Sequence, residues 1–123
     1  MTDKKILIVE DDEAISNMYQ TKMKQEGANV IAALDGGSAL EVAKNEKPDL
    51  ILLDVILPQL DGFSVLEELR KSKENANTPI LMLTNLSTEE DKEKAKNLGA
   101  TDYIVKASLT PTDVSEIVKK YLK

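Results

Sequence analysis

Between Asp49 and Asp54 the chain runs through Leu50, Ile51, Leu52 and Leu53 without a polar break. A strand with one wet face alternates apolar and polar residues, so an unbroken run of this length marks a strand covered on both faces. That is the condition of a parallel sheet lying between two layers of helices. Strand-length segments also occur at Lys5 to Val9, Asn29 to Leu34, Ile80 to Leu83 and Thr101 to Val105, each followed by a stretch of helix length. Five β-then-α units in succession define an α/β chain. Its 123 residues are expected to form one domain, residues 1–123, large enough to bury a core without disulfide or metal staples.

The helical stretches carry their own stop and start signals. Ile15, Met18, Tyr19 and Met23 are expected to share one buried face of a first helix that ends at Gly27, and Asp12 to cap its start. Ser38 with Glu41 and Ser87 with Glu90 have capping-box spacing, and Asp35 to Gly37 reads as a turn. The third helix is expected to bury Phe63, Leu66 and Leu69. The fourth, Glu89 to Asn97, offers only Ala95 to a core, the profile of an element that moves in switching. Thr110, Pro111 and Asp113 open the last helix, whose apolar stripe is Val114, Ile117, Val118, Tyr121 and Leu122.

Composition removes several function classes. With no Cys and no His, there is no disulfide framework, no thiolate or imidazole metal site and no histidine general base. A formal net charge of −6 with Arg70 as the single arginine argues against a groove that tracks a nucleic-acid backbone. No apolar run approaches the roughly 20 residues of a membrane helix, so a soluble, cytoplasmic protein is expected.

What remains is the chemistry at the strand ends. Glu10, Asp11 and Asp12 follow the first strand, Asp54 the third, Thr84 the fourth and Lys106 the fifth. In open α/β sheets ligands bind outside the carboxyl ends of the strands. An aspartate there can attack phosphorus and carry the group as an acyl phosphate, and Asp54 is the candidate nucleophile. Like charges about 4 Å apart repel by on the order of 4 kcal/mol at an effective dielectric near 20, so Glu10, Asp11 and Asp54 call for a divalent cation. Oxygen-only ligands favour a hard ion such as Mg²⁺, with the backbone carbonyl of Ile56 as a further ligand. Lys106 and the Thr84 hydroxyl are placed to neutralise and bind phosphoryl oxygens.

From Ile6 to Leu122 the chain resembles the receiver domain of bacterial two-component response regulators. The stretch Val9, Glu10, Asp11, Asp12 is similar to that family's acidic pocket, Asp54 to its phosphoacceptor, and Pro58, Asp61 and Gly62 to the loop that follows. Thr84 matches the family's hydroxyl position, Lys106 its lysine, and Gly99 to Tyr103 its Gly-Ala-x-x-Tyr segment. The resemblance implies a flavodoxin-like, doubly wound (βα)5 fold with five parallel strands in order 2-1-3-4-5 and helices on both faces. It implies Mg²⁺-dependent phosphotransfer from a sensor histidine kinase or histidine phosphotransfer protein, and Tyr103 as a switch aromatic coupled to Thr84. Output would pass through the face of helix 4, strand 5 and helix 5 to a downstream effector protein, an output domain or a second copy, with no direct contact to nucleic acid or membrane.

Within that arrangement Asp11 is read as a direct metal ligand and Glu10 as one acting through water. Two residues depart from the family pattern: Ala107 stands where proline usually follows the lysine, and Asn85 where a small residue is common. Three alternatives stand beside this switch, which would catalyse only its own phosphorylation and dephosphorylation. One is a haloacid-dehalogenase-like phosphatase, which needs an acid where Ile56 stands. Another is a receiver-fold interaction module that is never phosphorylated, and the third a receiver excised from a larger regulator.

Overall fold

The computed structural model describes residues 1–122; Lys123, the last residue of the expected domain, lies outside the described residues. Five strands, β1 (Lys5–Val9), β2 (Asn29–Ala33), β3 (Leu50–Leu53), β4 (Ile80–Thr84) and β5 (Asp102–Val105), alternate with five helices. These are α1 (Glu13–Gln25), α2 (Gly36–Glu46), α3 (Gly62–Lys71), α4 (Glu89–Asn97) and α5 (Pro111–Tyr121), with a short 3₁₀ turn at Lys106–Ser108 before the last. The strands form one parallel sheet in the order β2-β1-β3-β4-β5. This is the flavodoxin-like arrangement, whose strand order reverses between β1 and β3.

The central strand is covered on both sides, and each of Leu50 to Leu53 is buried. Side chains alternate across a strand, so the sheet divides its apolar residues between two cores. Leu7, Val9, Ile51, Leu53, Ile80 and Met82 pack with residues of α2, α3 and α4, including Ala39, Ala43, Phe63, Leu66, Leu69 and Ala95. Ile6, Ile8, Leu50, Leu52, Leu81, Leu83 and Ile104 pack with Tyr19 and Met23 of α1 and Val114 and Val118 of α5. Each fully buried Leu or Ile stabilises the fold by about 2 kcal/mol, and the paired cores fix the register.

Helix starts differ from the sequence reading in two places. α2 begins at Gly36, and its cap is Asp35, whose carboxylate accepts the Ser38 N–H at 2.7 Å; Ser38 itself lies inside the first turn. α4 is capped by Thr88, which accepts the Asp91 N–H at 3.1 Å, rather than by Ser87. An acceptor on the residue just ahead of the first turn satisfies a free N–H, and Asp35 and Thr88 occupy that place. Asp12 caps α1 through the Ile15 N–H, and Thr110 with Asp113 forms the full capping box of α5. On α1 the buried residues are Ser16, Tyr19 and Met23, while Met18 is exposed.

Arg70 ties down the edge opposite the strand ends that carry Asp54 and Lys106. Its guanidinium donates to the carbonyls of Gly99 (2.9 Å), Asn75 (2.9 Å) and Thr78 (2.7 Å) and to the Thr101 hydroxyl (3.3 Å). The planar fork thus joins the end of α3 to the turn between α4 and β5, a geometry lysine does not reproduce. α4 buries only Ala95, with the Lys94 ammonium 4.6 Å from the Phe63 ring centroid, so its far end is anchored while its body is lightly held.

Candidate functional site

Strand register assembles the site. Val9 pairs with Leu53 and Thr84 with Val105, so Glu10 leaves the sheet beside Asp54, and Lys106 leaves it just beyond Thr84. Alternation then sorts the side chains: Glu10, Asp54 and Lys106 continue the rows of Ile8, Leu52 and Ile104, which face α1 and α5. Thr84 and Tyr103 continue the opposite rows, on the side of α4. A cavity of about 10 Å³ beside Glu10 and Lys106 is otherwise lined by Ile8, Val9, Tyr19, Leu52 and Leu83.

Three ionisable groups meet there, largely out of water. The Lys106 Nζ donates to Asp54 Oδ2 at 2.7 Å and to both Glu10 carboxylate oxygens at 3.0 Å. Glu10 and Asp54 are buried, 4% and 6% exposed. The other Asp54 oxygen, Oδ1, accepts the Ile56 N–H at 3.2 Å, so both edges of the carboxylate are held. Asp11 is exposed, yet it offers an oxygen within 4.8 Å of those of Glu10 and Asp54. The donor set is oxygen only, three carboxylates from two adjacent strands, which suits a hard divalent cation.

The carboxylates titrate apart. Burial, reinforced by the hydrogen bond and negative charge of Asp54, pushes Glu10 up to about 8. Burial also acts to raise Asp54, but hydrogen bonds from Glu10 and Lys106 and the lysine's charge outweigh it and hold Asp54 below its ordinary value. Burial acts to lower Lys106, but its bonds to Asp54 and Glu10 outweigh this and raise it. Of the two buried carboxyl groups, Glu10 is therefore the one that keeps its proton to higher pH, while Asp54 is the one held in its ionised form beside the ammonium.

On the α4 side, the Thr84 hydroxyl accepts the Leu86 N–H at 3.4 Å, and the Tyr103 hydroxyl donates to the Leu86 carbonyl at 2.8 Å. Leu86 thus stands between two residues expected to act together, a link that no sequence pattern announced. Burial pushes the Tyr103 phenol up to about 12, so it remains a donor throughout the physiological range. The structure therefore brings Glu10, Asp11, Asp54 and Lys106 into one cluster, with Ile56 on Asp54 through its N–H. The direct bond from Lys106 to Glu10 was not foreseen; its signal was the shared parity of residues 8 and 10, 52 and 54, 104 and 106.

Fold and site together define a flavodoxin-like α/β domain with an acidic, lysine-bridged crevice at the carboxyl edge of its sheet, the build of a signalling switch. The chain belongs to the response regulator receiver domain family, whose model matches residues 6–120. It is 46% identical over 121 residues to the alkaline phosphatase synthesis transcriptional regulatory protein PhoP of Bacillus subtilis, covering 98% of this chain and 49% of that protein. To the DNA-binding dual master transcriptional regulator RpaA of Synechocystis it is 40% identical, covering 94% of this chain and 46% of that one. The chain thus spans about half the length of the curated relatives it matches.

Among solved structures, the chemotaxis protein CheY4 of Vibrio cholerae superposes with a TM-score of 0.92 at 32% identity, covering 98% of this chain and all of that one. The N-terminal receiver domain of Klebsiella pneumoniae RstA, activated with BeF3, gives 0.90 at 32% identity, covering 98% and 99%. As a receiver domain the chain is a switch of two-component signalling and not a classical enzyme. Among the described residues no helix is long and apolar enough to cross a membrane.

Proposed function

We propose that Asp54 is the phosphoacceptor of this switch and takes its phosphoryl group from a sensor histidine kinase or histidine phosphotransfer protein. The observation that carries this is the buried Asp54 carboxylate, ionised and fixed on one edge by Lys106 and on the other by the Ile56 N–H. A P–O bond forms at Asp54 as the donor's P–N bond breaks, and an ionised aspartate has no proton to lose, which suits a site without histidine. Pre-fixed geometry converts much of the reaction's entropy cost into folding energy. Lys106 is then free to neutralise charge on the transferring group, and the Thr84 hydroxyl lies on the next strand to bind one of its oxygens. Hydrolysis of the acyl phosphate by water resets the switch.

Glu10, Asp11 and Asp54 would hold Mg²⁺, with Asp11 and Asp54 as direct ligands, Glu10 through water and the Ile56 carbonyl as a further donor. When bound, Mg²⁺ supplies positive charge to the carboxylates and to the phosphoryl oxygens. Incubation with acetyl phosphate and Mg²⁺ should give an intact protein carrying one base-labile phosphoryl group, absent with EDTA and absent in Asp54→Asn. No adduct on the parent chain, or one that survives Asp54→Asn, refutes the assignment.

Because Glu10 holds a proton up to about pH 8, cation binding competes with that proton. Mg²⁺ affinity should climb by up to about tenfold per pH unit below 8 and level off above it, with proton release seen by calorimetry in buffers of different ionisation heat. An affinity that stays flat from pH 6 to 9 contradicts the coupling. Stability of the metal-free protein follows the same group. Its raised acid stabilises the fold fully below pH 4.5, where folded and unfolded chains both hold the proton, and this contribution is lost as pH rises to about 8.

Phosphorylation is read out through Thr84, Leu86 and Tyr103. Drawing the Thr84 hydroxyl toward the phosphoryl group removes the acceptor of the Leu86 N–H and shifts the loop whose carbonyl holds Tyr103. Alongside lie the lightly held α4 and a groove of about 340 Å³ between it and β5. A population shift there presents the α4, β5 and α5 face to an effector protein, an attached output domain or a second copy. A receiver served by such a kinase works in the cytoplasm.

A further inference from the structure

The two departures from the family pattern, Asn85 and Ala107, touch each other. The Asn85 amide oxygen accepts the Ala107 N–H at 3.0 Å. β4 and β5 are paired through Thr84 and Val105, so Asn85 and Lys106 leave the sheet side by side, and the amide spans to the residue just after the lysine. Lys106–Ser108 is a single 3₁₀ turn closed by the Leu109 N–H on the Lys106 carbonyl at 3.2 Å. Val105 ahead of it supplies no side-chain cap, so Asn85 takes an N–H at the start of this turn that the turn itself leaves unpaired. The peptide bonds here are trans. Asn85 and Ala107 are both exposed, so neither is explained by core packing.

We propose that Asn85 is a positioning residue: by holding the Ala107 amide it sets the start of the turn that carries Lys106 and aims its ammonium at Asp54. The inference rests on the reading of Asp54 as phosphoacceptor. Each departure accounts for the other, since a proline at residue 107 has no N–H and would leave the asparagine without a partner. A misplacement of a charged group by a fraction of an ångström is enough to slow a reaction that depends on positioning.

The test compares the 123-residue chain with Asn85→Ala, Ala107→Pro and the double variant, phosphorylated with acetyl phosphate and Mg²⁺ and followed by intact mass. Asn85→Ala should lower the maximal rate about tenfold and leave Mg²⁺ affinity unchanged, a split that general loosening of the fold does not produce. In the Ala107→Pro background the same substitution should have no further effect. Amide exchange at Ala107, measured by NMR, should quicken in Asn85→Ala.

An Asn85→Ala rate equal to that of the parent chain, or equal slowing in both backgrounds, overturns the inference, the latter because Asn85 would then act without Ala107. Unchanged Ala107 exchange in Asn85→Ala overturns it independently, even where the proline variant fails to fold. A parent chain that takes no phosphoryl group overturns the assignment of Asp54 instead, so the two failures are distinguishable.

Discussion

Lys106→Met is expected to slow phosphoryl uptake at Asp54 by about 100-fold, the loss that follows removal of a single pre-aimed charge stabiliser. Methionine keeps much of the aliphatic stem, so what disappears is the ammonium bonded to Asp54 at 2.7 Å and to Glu10 at 3.0 Å. Stability should also fall, by about 3 kcal/mol, because removing one partner leaves the other charge buried. The raised affinity of Glu10 for a proton should limit this loss, and Mg²⁺ should recover part of it by replacing the missing positive charge. Stopped-time mass spectrometry and urea unfolding with and without Mg²⁺ read both effects. A rate within threefold of the parent would remove Lys106 from the mechanism.

Gly62→Ala should destabilise the fold by about 3 kcal/mol or more and disturb the site together with it. A Cβ on residue 62 overlaps the Asp54 carbonyl oxygen and falls 2.7 Å from the Val55 Cα, both backbone atoms. The close approach is used: the Gly62 N–H donates to the Val55 carbonyl at 2.8 Å, docking the start of α3 against the strand end that carries Asp54. Relief of the overlap must move either α3 or the Asp54 peptide. Gly37→Ala is the matched control, since its Cβ meets only Asp35 Oδ1 at an ordinary 3.6 Å within α2. That variant should match the parent or gain up to about 1 kcal/mol from helix propensity. Equal urea midpoints for the two variants would contradict the packing argument.

The contrast between these glycines shows where sequence reading stops. Gly62 could be placed after Asp61 in a loop, but only the folded chain shows that its missing side chain is occupied space. The parallel sheet was legible because unbroken runs such as Leu50 to Leu53 permit few alternatives, and the start of the last helix at Thr110, Pro111 and Asp113 because nothing nearby competed with it; the reciprocal capping box there emerged only with the fold. Ser87 and Thr88 did compete: each has an acid three residues on, and local spacing cannot decide between them. The burial of Ala95 and the end of β4 set the helix register, and Thr88 caps it. Asp35 lost to Ser38 in the reading because Gly36 and Gly37 look like a turn, although a first helical turn admits both.

At the site, the sequence located the candidate residues and left their contacts unsettled. Glu10, Asp11, Asp54, Thr84 and Lys106 all lie at the carboxyl edge of the sheet, yet the direct tie of Lys106 to Glu10 and the hydrogen bonds of Thr84 and Tyr103 to Leu86 are products of strand parity and loop path. Asn85 and Ala107 looked like two separate irregularities until the fold placed one on the other. Long-range pairings of this kind, |i−j| of 22 for the last, carry no local signature.

Borohydride trapping distinguishes a phosphoryl group carried on the Asp54 carboxylate from one carried anywhere else. An acyl phosphate on aspartate is reduced by borohydride to homoserine, while an unmodified carboxylate is not. Treatment after acetyl phosphate and Mg²⁺, followed by digestion and fragment mass spectrometry, should place homoserine at residue 54 and leave Glu10, Asp11 and Asp12 unchanged. Homoserine at Asp11 or Asp12, or reduction at no residue while the intact protein carries phosphate, would show that the phosphoryl group does not reside on Asp54.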